Sequence, residues 1–239
     1  MRSIGQLTII LVTLIALTLP ARADTIAKTV TLAGMKVNYK VILPNGYDPS
    51  RAYPTVLTFG GGSQDTTTVD RGAERFWRDE PERRGYIIVS PAAPAGRLFF
   101  QAGERIFPEF LQMILHDYKV QGGKLHIAGP SNGGISAFHI AAFYPQYFWS
   151  VTGFPGYLPE DSNSNIDGLK KVCVYMHVGE LDDPAWLAIM KQNVAKFQQR
   201  GLKVHFTIEK GQPHGIGTLA GENAQRLFDQ FEEAAKGCN

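Results

Sequence analysis

The chain has little cysteine, no excess of charge of either sign, no internal repeat and no low-complexity block. Each absence removes a class of function. Its 2 Cys, Cys173 and Cys238, come with no histidine at zinc-ligand spacing, so no metal site is expected. Its 24 Lys+Arg stand against 22 Asp+Glu, which leaves no electrostatic footprint for nucleic acid or for an anionic lipid surface. No insertion is long enough to form a separate lid, and 44% hydrophobic residues fit a globular protein with a substantial core.

The one long apolar stretch lies at the start. Arg2 precedes the largely apolar run from Leu7 to Leu19, and Ala21-Arg22-Ala23 is a small-x-small cleavage site. Residues 1–23 are therefore expected to be a secretory signal peptide, removed between Ala23 and Asp24. The run is shorter than the roughly 20 residues that cross a bilayer. Loss of Arg2 and Arg22 would leave 22 basic and 22 acidic residues in an exported, periplasmic or extracellular chain with no membrane attachment. Export makes a Cys173–Cys238 disulfide feasible. A free Cys173 buried in the apolar run Val172 to Met176 is equally compatible with the sequence.

Residues 24–239 read as a single α/β domain, a mainly parallel sheet with helices on both faces. Strands are expected at Thr29 to Leu32, Val37 to Leu43, Tyr53 to Phe59, Gly85 to Ser90, Leu125 to Gly129, Phe148 to Phe154, Lys171 to Val178 and Val204 to Glu209. Helices are expected at Thr68 to Arg84, Glu104 to Tyr118, Ile135 to Phe143, Pro184 to Arg200 and Ala220 to Ala235.

The densest signal is Gly129-Pro130-Ser131-Asn132-Gly133, between an apolar strand and a helical segment. That is the context of a nucleophile elbow, in which glycines two residues either side of the serine let strand and helix pass closely. A serine hydroxyl needs a base, and the base needs an orienting acid. His214 sits alone among the six histidines in a Gly/Pro-flanked loop after the last strand, whereas His177 approaches the same sheet edge from within a strand. Asp182 and Asp183 compete as the acid. Asp183 before Pro184 is placed to cap a helix, which favours Asp182, with Glu180 behind both. Oxyanion donors are expected from the Asn132 N–H and from the Gly60-Gly61-Gly62 loop, Gly61 first. Trp77, Phe99, Phe100, Phe154 and Tyr157 fall in or near loops that flank the serine, and the last four are the candidates for an apolar acyl pocket.

With Ser131, Asp182 and His214 in that chain order, the sequence resembles the α/β-hydrolase superfamily. Within it, Val37 to Asp48, Tyr53 to Leu57 with the following glycines, Gly129 to Gly134 and Gly179 to Asp182 are similar to small secreted esterases grouped with polyhydroxybutyrate depolymerases and feruloyl esterases. Phe59 departs from the histidine these enzymes carry before the oxyanion glycines, which implies a loop held by other contacts. The resemblance implies a serine esterase acting on a small or polymeric ester without metal or organic cofactor. An exported peptidase with the same triad, an acyltransferase and a non-catalytic binding protein on this scaffold are the rival readings. Oligomeric state is not legible in the sequence.

Overall fold

The structure, a computed structural model, describes residues 24–238. The expected signal peptide, 1–23, lies outside the described residues. The chain opens with an antiparallel hairpin, β1 (Asp24–Leu32) and β2 (Met35–Leu43), paired along its whole length from Asp24↔Leu43 to Leu32↔Met35. Ala33 and Gly34 turn it with positive φ at both positions, the conformation that matches the twist of two-residue hairpins. β1 begins five residues before the expected Thr29. Its first half has no apolar alternation and is held by backbone pairing to β2.

Six strands follow: β3 (Thr55–Thr58), β4 (Ile87–Pro91), β5 (Leu125–Gly129), β6 (Phe148–Gly153), β7 (Cys173–Gly179) and β8 (Val204–Glu209). The sheet order is β1-β2-β4-β3-β5-β6-β7-β8. β2 runs antiparallel to β4, and every pair from β4 to β8 is parallel. The parallel strands read as continuous apolar runs because both faces are covered.

The helices are α1 (Thr66–Phe76), α2 (Glu80–Arg84), α3 (Phe107–Asp117), α4 (Asn132–Phe143), α5 (Pro184–Gln199) and α6 (Gln225–Lys236). Alternate strand residues sort between two apolar layers, as the period of two requires. Leu57, Val89, Ile127, Val151 and Val174 join Phe107 and Phe110 of α3, Phe138 of α4 and Phe197 of α5. On the opposite face Val56, Ile88 and Ala128 join Phe76 of α1 and Leu227, Phe228 and Phe231 of α6.

Three of the expected helices are broken or begin later than expected. The segment 68–84 is broken after Phe76, where buried Trp77 turns into the core against Phe154 and Phe231, and a new helix starts around Pro81. The 104–118 helix begins at Phe107 after a 3₁₀ turn, with Pro108 in its first turn. The last helix begins at Gln225, because Gly221 adopts φ +57° and the preceding chain forms two 3₁₀ turns.

Cys173 at the start of β7 is bonded to Cys238 just past α6, across 65 residues. Linking residues that far apart removes conformational freedom from the unfolded chain. Cys238→Ser is expected to lower stability by about 2–4 kcal/mol. Reductant should lower the Tm of wild type and leave that of the variant unmoved; equal Tm values with and without reductant in wild type would contradict this.

Candidate active site

Ser131 lies between β5 and α4 with φ +56° and ψ −126°, a strained backbone for a residue with a Cβ. The surroundings over-determine it. Its N–H donates to the Pro155 carbonyl at 2.8 Å, and its carbonyl accepts from Ile135 N at 3.0 Å. A Cβ at Gly129 would lie 2.5 Å from the Gly133 carbonyl carbon. One at Gly133 would lie 2.5 Å from the Phe59 carbonyl oxygen. Both glycines are therefore set by close backbone approach.

The loops after β7 and β8 bring two further residues to this turn. Ser131 Oγ is 2.9 Å from His214 Nε2, and His214 Nδ1 is 2.8 and 3.0 Å from the two carboxylate oxygens of Asp182. The Asp182 side chain is 1% exposed and that of His214 41%, so the acid is sealed while the imidazole meets solvent. Asp182 Oδ1 also accepts from Asp183 N at 2.7 Å. Asp183 itself caps α5, its Oδ1 accepting from Ala185 N at 2.7 Å, with Pro184 as the first helical residue. Glu180 accepts from Gly211 N at 2.8 Å and ties the two loops together. Trp186 on α5 stands edge-on to the His214 ring at 4.8 Å, and Tyr157 packs on Trp186 at 5.2 Å.

The glycine loop after β3 passes directly beside the serine. A Cβ at Gly61 would come within 3.6 Å of Ser131 Cβ. Among the described residues, the N–H groups of Gly61 and Asn132 donate to no protein acceptor. Where a histidine was the family pattern, Phe59 is buried against Phe99 and Phe107 at 5.2 and 5.6 Å. The polar work falls to Gln64, fully buried with φ +55°. Its Nε2 donates to Asn132 O and Ser136 Oγ at 3.2 and 2.8 Å, and its Oε1 accepts from Phe99 N at 3.1 Å. Asn132 Nδ2 returns a bond to Gly62 O at 2.8 Å. No periodicity or motif singles out Gln64, because its partners lie 35 to 72 residues away.

A pocket of about 260 Å³ opens at the serine, walled by Gly61, Arg71, Arg75, Phe76, Ser131 and His214 among others. None of the four aromatic candidates lines it. Phe99 and Phe154 are core residues, because their loops turn inward onto Phe59 and Phe107 on one face and onto Phe76 and Trp77 on the other. Phe100 is half-buried away from this pocket, and Tyr157 reaches the site only through Trp186. Arg71, Arg75 and Trp186 carried no sequence signal, since nothing local ties α1 or α5 to the serine. Among the described residues no group of His, Cys, Asp or Glu is arranged to hold a metal ion.

No family model matches the chain. Solved structures do. A thermostable esterase superposes with TM-score 0.73 at 18% identity over 88% of this chain, which spans 63% of that protein. A ferulic acid esterase gives 0.70 at 18% identity, covering 90% of this chain and 98% of that one. Dipeptidyl peptidase 4 from Porphyromonas gingivalis gives 0.63 at 15% identity, covering 90% and 36%. The chain has the α/β-hydrolase fold. The elbow of this α/β-hydrolase fold thus stands at β5, with the acid and histidine loops after β7 and β8.

The other histidines have local partners. His126 is buried against Phe231, bonds Ser150 Oγ at 2.8 Å, and burial pushes its pKa down to about 3. His139 bonds Ser162 Oγ at 2.6 Å, and His205 stacks on Tyr175 at 4.8 Å. His177, the rival base at the sheet edge, is turned away from the serine: its Nδ1 donates to Glu209 at 3.0 Å and its Nε2 accepts from Gln230 at 3.0 Å. The His177 bond, with help from Arg226 and Thr218, holds the Glu209 carboxyl at about 2 against the opposing effect of burial. A carboxyl whose pKa is depressed on folding stabilises above its ordinary value, and that stabilisation is lost as pH falls through the folded value. Glu209→Gln should therefore have a lower Tm than wild type at neutral pH, with the gap closing between 4.5 and about 2. A gap that stayed constant over that range in thermal melts would refute the linkage.

Proposed function

We propose that this chain is an exported serine hydrolase that cleaves carboxylic esters through an acyl-enzyme. The observation that carries the reading is the continuous hydrogen-bonded line from Ser131 Oγ through the His214 ring to the buried Asp182 carboxylate. In the reaction, His214 Nε2 takes the Ser131 proton as Oγ bonds to the ester carbonyl carbon. The N–H groups of Gly61 and Asn132 bind the oxyanion that develops, and each such donor is typically worth roughly 3 kcal/mol to the transition state. Collapse breaks the bond to the leaving alcohol, which takes the proton from His214. Water then attacks the acyl carbon while giving a proton to His214, the bond to Oγ breaks, and the proton returns to Ser131. Asp182 holds the imidazole tautomer throughout and stabilises its charged form. Arginine and glycine groups around the pocket bind and orient; no step calls on a metal or organic cofactor.

Support for export comes from the leader-like residues 1–23 and from the Cys173–Cys238 bond, which persists in oxidising compartments. The substrate is a small molecule or a polymer carrying esters. A second reading is an exported peptidase using the same three residues, favoured by the likeness to dipeptidyl peptidase 4.

Fluorophosphonate labelling of the mature protein is the direct test. Wild type should label, and Ser131→Ala and His214→Ala should not. Asp182→Asn should keep the fold and lower kcat by on the order of 10⁴. A folded wild type that resists the probe would overturn the nucleophile and point to a binding protein. Faster turnover of amide than ester substrates would favour the peptidase.

The pocket is small, and among the described residues no inserted domain covers it. Short-chain nitrophenyl esters are accordingly expected to turn over faster than long-chain ones. A steady rise of kcat/KM with acyl length would contradict this.

A further inference from the structure

One wall of the serine pocket is cationic. Arg71 and Arg75 stand one turn apart on α1, both exposed and both lining the space above Ser131 and His214. No acidic residue lines that space among the described residues. Of the nearby carboxylates, Asp70 pairs with Lys40, and Asp65, which caps α1, accepts from Thr68 N and Ser63 Oγ; Glu74 is also on α1 but does not line the space. Gly72, between the arginines in sequence, also lines the space, and a Cβ there would meet nothing within 4 Å.

Like charges one turn apart on a helix repel. Arg75 has a local partner, donating to the Gly215 carbonyl at 3.1 Å beside His214, and it lies 5.5 Å from the Phe76 ring centre. That bond uses one of its five N–H donors. The concentration of positive charge is local, since the basic and acidic residues of the chain nearly balance. Outside that space, Trp186 stands edge-on to the His214 ring and is backed by Tyr157.

We propose that Arg71 and Arg75 form a subsite for a carboxylate carried by the substrate, so that the favoured substrates are esters with an anionic group a few atoms from the scissile carbonyl. This rests on the reading of Ser131 as the nucleophile. Guanidinium groups bind carboxylates through paired N–H donors. The carboxylate enters on the acyl side, as in a monoester of a dicarboxylic acid, or on the alcohol side, as in an ester of a hydroxybenzoic acid.

Two matched pairs of substrates separate these. For the acyl side, kcat/KM is measured on mono-para-nitrophenyl glutarate and on para-nitrophenyl pentanoate. For the alcohol side, it is measured on the acetate ester of meta-hydroxybenzoate and on that of its uncharged amide. The charged member of at least one pair should lead by about tenfold at low salt, and the lead should shrink as salt screens the exposed arginines. Arg71→Gln should lower that ratio toward one, with Arg75 still in place, and Arg71→Glu should lower it further. Fluorophosphonate labelling, with a neutral probe, is run on every protein. A wild type that labels and turns over the neutral esters with no preference in either pair overturns the subsite alone. A preference that Arg71→Glu leaves unchanged overturns it too. A wild type that neither labels nor hydrolyses any of the four removes the nucleophile and the subsite together.

Discussion

The close packing of β5, its turn and α4 is the constraint on which the rest of the site depends. Ser131 is strained at φ +56°, and the conformation persists because Gly129 and Gly133 touch and Gly133 lies under the Phe59 carbonyl. That contact brings the end of β3 beside the serine and delivers the Gly60-Gly61-Gly62 loop to it. Pro155 O, from the loop after β6, takes the serine N–H. Three adjacent strands thus converge on one residue, and any drift at the turn would move the loops that surround it.

A parallel sheet places the ends of its strands at one edge, and this chain spends that edge on polar residues held by other polar residues. Gln64 joins the glycine loop to α4 from a fully buried position, which would be costly without its bonds to Asn132, Ser136 and Phe99. Glu209 does the same further along. Its carboxylate receives His177, Thr218 and Arg226, which joins β7, β8 and the segment leading into α6. The loop that carries His214 springs from that anchored strand end. Rigidity of the loop therefore comes from a network several residues away from the imidazole.

Much of the fold was legible because its signals are local. The run Leu125 to Gly129, the turn and the helical segment after it lie within twenty residues and read as strand, turn and helix. The strands are apolar and separated by helical segments, which is how a parallel sheet covered on both faces must read. Asp183 before Pro184 carries its capping chemistry in two adjacent residues, and so leaves Asp182 distinguishable. Other features escaped for the opposite reason. The break after Phe76 follows from burial of Trp77 against residues of α6, and the inward turn of Phe99 and Phe154 follows from cavities that only the assembled layers create. Aromatic residues in loops look alike in sequence whether they face solvent, substrate or core.

The sequence by itself determined which residues have the chemical types and chain order of a hydrolase site, and which segments form the sheet that would carry them. Order, spacing and local backbone demand are properties of the chain. Only the tertiary structure decided which side chains meet. It turned His177 to Glu209 and His214 to Ser131, closed Cys173 onto Cys238, buried Gln64 between the glycine loop and α4, set Arg71 and Arg75 in the wall of the pocket, and stood Trp186 against the His214 ring. Those pairings join residues tens of positions apart, and their geometry is set by how helices pack on the two faces of the sheet rather than by any periodicity along it.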